Sequence, residues 1–178
     1  MRSFVVAATG RDRPGIVAAV TRVLLAHQLN LEDAEMAILR GHFAIILVLA
    51  APRALDEAGL RADLERVRAD VPLESVSLTE VTALETPAAT PSHAISVYGA
   101  DHPGIVHGVA EALAGASVNV VDMSTRVVGE PGGELYVMLL EVSLPPGLDD
   151  SGLDKLLARV AHDQGVDVSA RALDGDVL

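Results

Sequence analysis

An eight-residue segment occurs twice in this chain of 178 residues. Gly10-Arg11-Asp12-Arg13-Pro14-Gly15-Ile16-Val17 is matched by Gly99-Ala100-Asp101-His102-Pro103-Gly104-Ile105-Val106, 89 positions later. At the same displacement Asn30 falls on Asn119 and Asp33 on Asp122. Further on the displacement becomes 93, where Pro52 matches Pro145, Leu55 matches Leu148, Gly59-Leu60 matches Gly152-Leu153, and Leu64 and Val67 match Leu157 and Val160. Self-similarity on this scale means two copies of one supersecondary unit, which restricts the chain to a tandem architecture. The change of displacement is taken up around Gly129-Glu130-Pro131-Gly132-Gly133, a turn-forming composition in which added length is tolerated.

Each copy passes through the same succession of hydrophobic periods. Phe4–Thr9 and Ala94–Tyr98 are short apolar runs closed by Gly, the pattern of strands. Ile16, Val20, Val23 and Leu24, like Ile105, Val109 and Leu113, recur at helical spacing after an Asp-x-Pro-Gly start. Ala34, Met36 and Ile38 alternate with Asp33, Glu35 and Ala37, while Val121, Met123, Thr125 and Val127 alternate with Asp122, Ser124 and Arg126, predicting strands with one wetter face. Phe43–Leu49 and Leu135–Val142 are apolar enough for central strands. A second amphipathic helix follows, marked by Leu60, Leu64 and Val67 or by Leu153, Leu157 and Val160, and Leu73–Val81 or Val166–Leu173 closes the copy with a strand. The expected fold is therefore α+β: two ferredoxin-like βαββαβ domains, 1–84 and 93–178, each an antiparallel sheet with its helices on one face. Residues 85–92, rich in Pro, Thr and Ala, have the composition of a linker.

Charge and composition exclude several classes of function. Thirteen Lys and Arg against 25 Asp and Glu give a net charge of −12, which repels a phosphate backbone and disfavours direct nucleic-acid binding. Divided at residue 84, the first part carries −2 and the second −10. Phe4, Phe43, Tyr98 and Tyr136 are the only aromatics, so no stacking platform for bases is expected. The absence of cysteine removes disulfides, thiolate metal sites and cysteine nucleophiles. The start reads as a strand, with no signal-type segment, and the longest apolar run, Phe43–Pro52, is too short to span a bilayer. A cytoplasmic location with no membrane partner is the expectation. His102 and His107 stand five residues apart, unsuited to one helical face, and read as surface histidines, not metal ligands. Asp33 and Asp122 recur without a repeated His or Lys, and Lys155 lies on the second helix of copy two, so neither an enzyme nor a cofactor is expected.

The repeated loop carries the functional signal. Asp12 and Asp101 stand where a carboxylate can cap a helix, and Pro14 and Pro103 fit an early helical position. Gly15 and Gly104 would let a ligand approach amides that favour an anion such as a carboxylate. Asn30 and Asn119 begin the next strand, expected close to the end of the first, and offer both donor and acceptor.

With Asn at the same offset in both copies, the pattern resembles the ACT domain, a βαββαβ regulatory module that senses amino acids, and nearly the whole chain is covered. The tandem arrangement resembles the glycine cleavage system transcriptional repressor family. The first copy also resembles the ACT segment of formyltetrahydrofolate deformylases, without their catalytic domain. What the resemblance implies is an amino-acid site at a domain interface, formed here by Asp12, Arg13, Pro14, Gly15, Ile16 and Asn30, and by Asp101, His102, Pro103, Gly104, Ile105 and Asn119. A small amino acid of the glycine or serine class would be the effector and a protein the partner, with a transcription regulator or metabolic protein under control. Arg13 makes the first copy the better expected carboxylate site. An uncovered sheet face implies a homodimer. The alternative is a ligand-independent dimerisation or interaction module.

Overall fold

The computed structural model describes residues 1–81, 89–130 and 133–173, with side chains at 130 and 133 left out. Within the expected linker, 85–88 lie outside the described residues. The chain forms two compact units, Met1–Pro87 and Ala88–Leu178. In the first, β1 (Arg2–Arg11), α1 (Ile16–Ala26), β2 (Asn30–Leu39), β3 (His42–Ala51), α2 (Glu57–Asp70) and β4 (Leu73–Val81) follow one another. The second repeats the order with β5 (His93–Ala100), α3 (Ile105–Gly115), β6 (Asn119–Glu130), β7 (Gly133–Ser143), α4 (Asp150–Gln164) and β8 (Asp167–Ala172). The sheets are antiparallel ladders in the orders β2-β3-β1-β4 and β6-β7-β5-β8.

Period-two alternation on the central strands explains the layering. Phe4, Val6 and Ala8 of β1 share a face with Phe43, Ile45, Leu47 and Leu49 of β3, and this face is sealed by Ile16, Val20 and Leu24 of α1 and Leu60 and Leu64 of α2. In the second unit Ile95, Val97, Met138 and Leu140 meet Ile105, Val109 and Leu113 of α3 and Leu153, Leu157 and Val160 of α4. Both helices of a unit thus cover one sheet face. On the other face Ile46 and Leu139 remain 53% and 45% exposed.

Three local expectations need correction. Strand β2 has no buried face: Met36 and Ile38, which share the helix side with Ile45 and Phe43, are still exposed because the strand lies outermost. The register of β6 slips between Val120 and Asp122, as that of β2 does between Leu31 and Asp33. Val121 is therefore the extra residue of a bulge, and Val120 takes the helix-side position beside Val142 that simple alternation denies it. The longer second hairpin also differs from the expected enlarged loop. Pairing runs on to Glu130 opposite Gly133, so the added residues extend the ladder, while 131–132 lie outside the described residues. Arg40 and Gly41, both at positive φ, form the two-residue turn of the first hairpin.

Candidate functional site

The duplicated segment spans the junction from β1 to α1 and from β5 to α3. Its aspartates do not cap the helices. The N-caps are Gly15 and Gly104, at φ 96° and 108°, and no side chain accepts a bond from either first turn. Pro14 and Pro103 accordingly precede the cap instead of opening the helix. The left-handed turn is why glycine is required: a Cβ on Gly15 would find open space, but an L side chain is strained at this φ. An uncapped start leaves first-turn amides free to meet an anion, which the dipole of an 11-residue helix favours.

Asp12, Arg13, Pro14 and Gly15 are exposed, and the Asp12 amide donates to the Gly41 carbonyl at 2.9 Å, tying the loop to the hairpin turn. Ile16 and Ile105 are core residues, each 1% exposed, so only their backbone amides can serve a ligand. In the second unit Asp101, Pro103 and Gly104 are exposed while His102 is half-buried. Its ring donates to the Pro103 carbonyl from Nδ1 at 3.1 Å and to the Gln164 carbonyl from Nε2 at 2.8 Å. Both bonds form at once only when the ring is protonated. The bonds to Pro103 and then Gln164 raise the His102 pKa against the opposing effect of burial, with Asp101 adding to the rise. His102 is thus a clip between the loop and the end of α4, not a free surface histidine. His107 is exposed, 3.6 Å from Glu111 one turn on.

The asparagines stand far from the loops, not close to them as expected. Asn30 pairs with Ala50, which faces Ser3, whereas the loop leaves β1 after Arg11. Eight ladder positions of about 3.3 Å separate them, roughly 26 Å along the sheet. Asn119, opposite Ser143, lies likewise at the His93 end of its sheet. The cause is the helix, whose 11 residues carry the chain back the length of the sheet before β2 begins. That reversal was legible in the strand-helix-strand order itself.

Tyr136, from the central strand β7, joins the second loop. Asp101, His102, Pro103, Gly104, Ile105, Val106, His107, Ala110 and Tyr136 line a concavity of about 480 Å³. Tyr136 is 7% exposed, and its hydroxyl is buried without a hydrogen-bond partner among the described residues. Burial and, secondarily, the Asp101 carboxylate raise its pKa, with the nearby Thr125 hydroxyl working the other way without reaching hydrogen-bond geometry. Tyr136 faces Gly99 across the ladder as Phe43 faces Gly10 in the first unit. The Phe-to-Tyr exchange at displacement 93 was the available signal.

Elsewhere Ser92 Oγ lies 2.9 Å from His93 Nδ1, and His93 Nε2 lies 3.2 Å from Asp150 Oδ1. The order resembles a nucleophile relay, but Ser92 Oγ also accepts the Leu144 amide and faces the Val142 carbonyl at 3.3 Å. That hydroxyl clasps the start of β5 to the end of β7. No group of three His, Cys, Asp or Glu among the described residues is placed to hold a metal ion, and no described helix is long and apolar enough to cross a membrane.

The ACT domain family model matches residues 2–76 and 94–171, one match in each unit. The phosphoserine phosphatase SerB2 of Mycobacterium tuberculosis is 29% identical over 169 residues, which are 94% of this chain and 40% of the phosphatase, so the chain spans well under half of that protein. The glycine cleavage system transcriptional repressor of Escherichia coli is 23% identical over 85% of this chain and 80% of its own length. Among solved structures, a protein of unknown function from Galdieria sulphuraria superimposes with a TM-score of 0.78 at 29% identity, covering 97% of this chain and 99% of that one.

Proposed function

This chain belongs to the ACT domain family, and from that premise we propose that it is an amino-acid-responsive regulator that acts through a partner protein and catalyses no reaction. The observation that carries the reading is the duplicated helix start. In both units a left-handed glycine opens α1 or α3 without a side-chain cap, so free amides and the helix dipole face outward beside an Asp carboxylate. Those groups suit the two charges of a zwitterionic amino acid. The ligand residues are Asp12, Arg13, Pro14, the Gly15 and Ile16 backbone and Asn30, with Asp101, His102, Pro103, the Gly104 and Ile105 backbone and Asn119.

Because Asn30 stands at the far end of its own sheet from Gly15, one ligand can touch both only if another ACT unit supplies one of them. A homodimer would supply it, and ligand then alters the packing between units and hence the surface offered to a partner. The net charge of −12 suits a protein partner and not DNA, in keeping with transcriptional control exerted by protein contact in the cytoplasm.

Calorimetric titration of the full chain with glycine, serine and the other common amino acids tests the reading. The expected result is saturable heat that Asn30→Ala or Asn119→Ala diminishes, and no heat or thermal shift from any amino acid would overturn it. A ligand-independent dimerisation module is favoured by one observation, the exposed apolar side chains Met36, Ile38 and Leu39 of β2 and Met123, Val127 and Val128 of β6. On that reading the same variants leave partner binding intact and no ligand effect exists to lose.

A further inference from the structure

Each sheet turns one face away from its helices, and strand register fixes which side chains share that face. In the second unit Asp122, Glu141, Ala94 and Arg171 lie side by side across β6, β7, β5 and β8. A parallel row on the same face holds Arg126, Val137, Tyr98 and Asp167. The row between them, Ser124, Leu139, Ser96 and Ser169, is uncharged. Asp122, Arg126, Asp167 and Arg171 thus mark the corners of a rectangle about 13 Å along the strands and about 14 Å across them. Charge alternates in sign from each corner to the next. All four side chains are exposed, and none forms an ion pair among the described residues. Neighbouring corners stand too far apart to pair within one molecule. Inside the rectangle Leu139 is 45% exposed, with Tyr98 beside Asp167 at 39%. The first unit has no such pattern: its matching corners are Asp33, Ala37, Ser75 and Thr79, with a single charge.

A rectangle with alternating corners complements its own image after a half-turn about an axis lying in the face, because each charge is laid over one of opposite sign. We infer that the open sheet face of the second unit is an interface with a second copy of this chain, the two faces packing about a two-fold axis that runs across the strands through Leu139. Asp122 of each molecule then meets Arg126 of the other, and Asp167 of each meets Arg171, giving four ion pairs around the rim. At the centre Leu139 meets its own copy. An axis along the strands also pairs the corners, Asp122 with Arg171, but it sets Leu139 over Ser96 and brings the two Glu141 carboxylates onto adjacent strands across the interface. The axis across the strands lays Glu141 over Val137 instead, next to Arg126 of the other molecule. Stacked sheets lie about 10 Å apart, a gap that facing Arg and Asp side chains span. Rim pairs in water add little affinity and serve to fix register, while the desolvated centre supplies the attraction. The contact needs no ligand and so goes beyond the amino-acid reading.

The test is sedimentation equilibrium of the full chain with no amino acid present. The natural chain should be a dimer. Asp122→Arg and Arg126→Asp each set two pairs of like charge face to face, and each should weaken the dimer by about tenfold or more. Mixed in equal amounts, the two variants should recover the natural affinity, because the added arginines of one face aspartates of the other. With the axis along the strands the mixture keeps two like-charge contacts and does not recover. Circular dichroism checks that each variant folds. Where a single variant does not, the chain carrying both reversals restores all four pairs and decides alone: it should dimerise like the natural chain, and a monomer overturns the inference. A monomeric natural chain, single variants that dimerise as the natural chain does, or a mixture that stays dissociated also overturns it. Each of these leaves the amino-acid reading standing, since no ligand takes part.

Discussion

At the scale of single residues, His102 shows how one side chain turns a shared loop into a particular one. Where the first unit has Arg13 facing solvent, the second has an imidazole ring held between the Pro103 and Gln164 carbonyls. Its folded pKa lies above the ordinary 6.5, first through the bond to Pro103 and then through that to Gln164. The sign follows directly. The folded state holds the proton more tightly than the unfolded chain, so this stabilisation is fully present below the unfolded pKa and is lost as pH rises through the folded one. Urea unfolding measured across pH 5.5–8.5, about the range in which a histidine of raised pKa titrates, should show stability falling toward the alkaline side. His102→Ala should flatten that slope, and an unchanged slope would exclude the clip as its source. Neither the clip nor the burial of the Tyr136 hydroxyl is visible in a residue's type. The carbonyl of Gln164 lies 62 positions from His102, and only folding sets the two together.

Secondary-structure elements divide into those begun by a side chain and those begun by backbone geometry. Helices α2 and α4 follow the usual rule: Asp56 and Asp149 accept the amides of Gly59 and Gly152 at 3.0 and 2.8 Å. Helices α1 and α3 dispense with such a cap, so their amides are available to solvent or ligand. The contrast makes a prediction. Asp56→Ala and Asp149→Ala should each destabilise the chain by about 1 kcal/mol in urea unfolding, the ordinary worth of an N-cap. Asp12→Ala and Asp101→Ala, though they stand in the expected capping position, should leave stability nearly unchanged. Equal losses from all four would show that the loop aspartates cap after all. Periodicity identified every helix and strand because it reports which residues share a face, whichever neighbour covers them. It missed the bulges at β2 and β6, because an extra residue in a ladder is defined by the partner strand.

For the whole molecule the duplication has a thermodynamic consequence. Each unit has its own buried cluster, one built around Phe4, Leu47 and Leu64 and the other around Ile95, Met138 and Leu157. Segments 1–87 and 88–178 each exceed the size at which a single core becomes marginal, about 60 residues. Produced separately, each should melt cooperatively by circular dichroism. Leu64→Ala should lower the stability of the first by about 2–5 kcal/mol. A segment lacking a cooperative transition would mean that its core is not self-sufficient. The tandem of ferredoxin-like units, the element order and the loop that opens α1 and α3 all follow from the order of residues, because repetition and hydrophobic period are local properties of a chain. The separation of Asn30 from Gly15 and the placing of Tyr136 opposite Gly99 were settled by strand order and register. A helix that returns the chain along the sheet sends sequence neighbours to opposite ends. A ladder, by contrast, sets distant residues side by side.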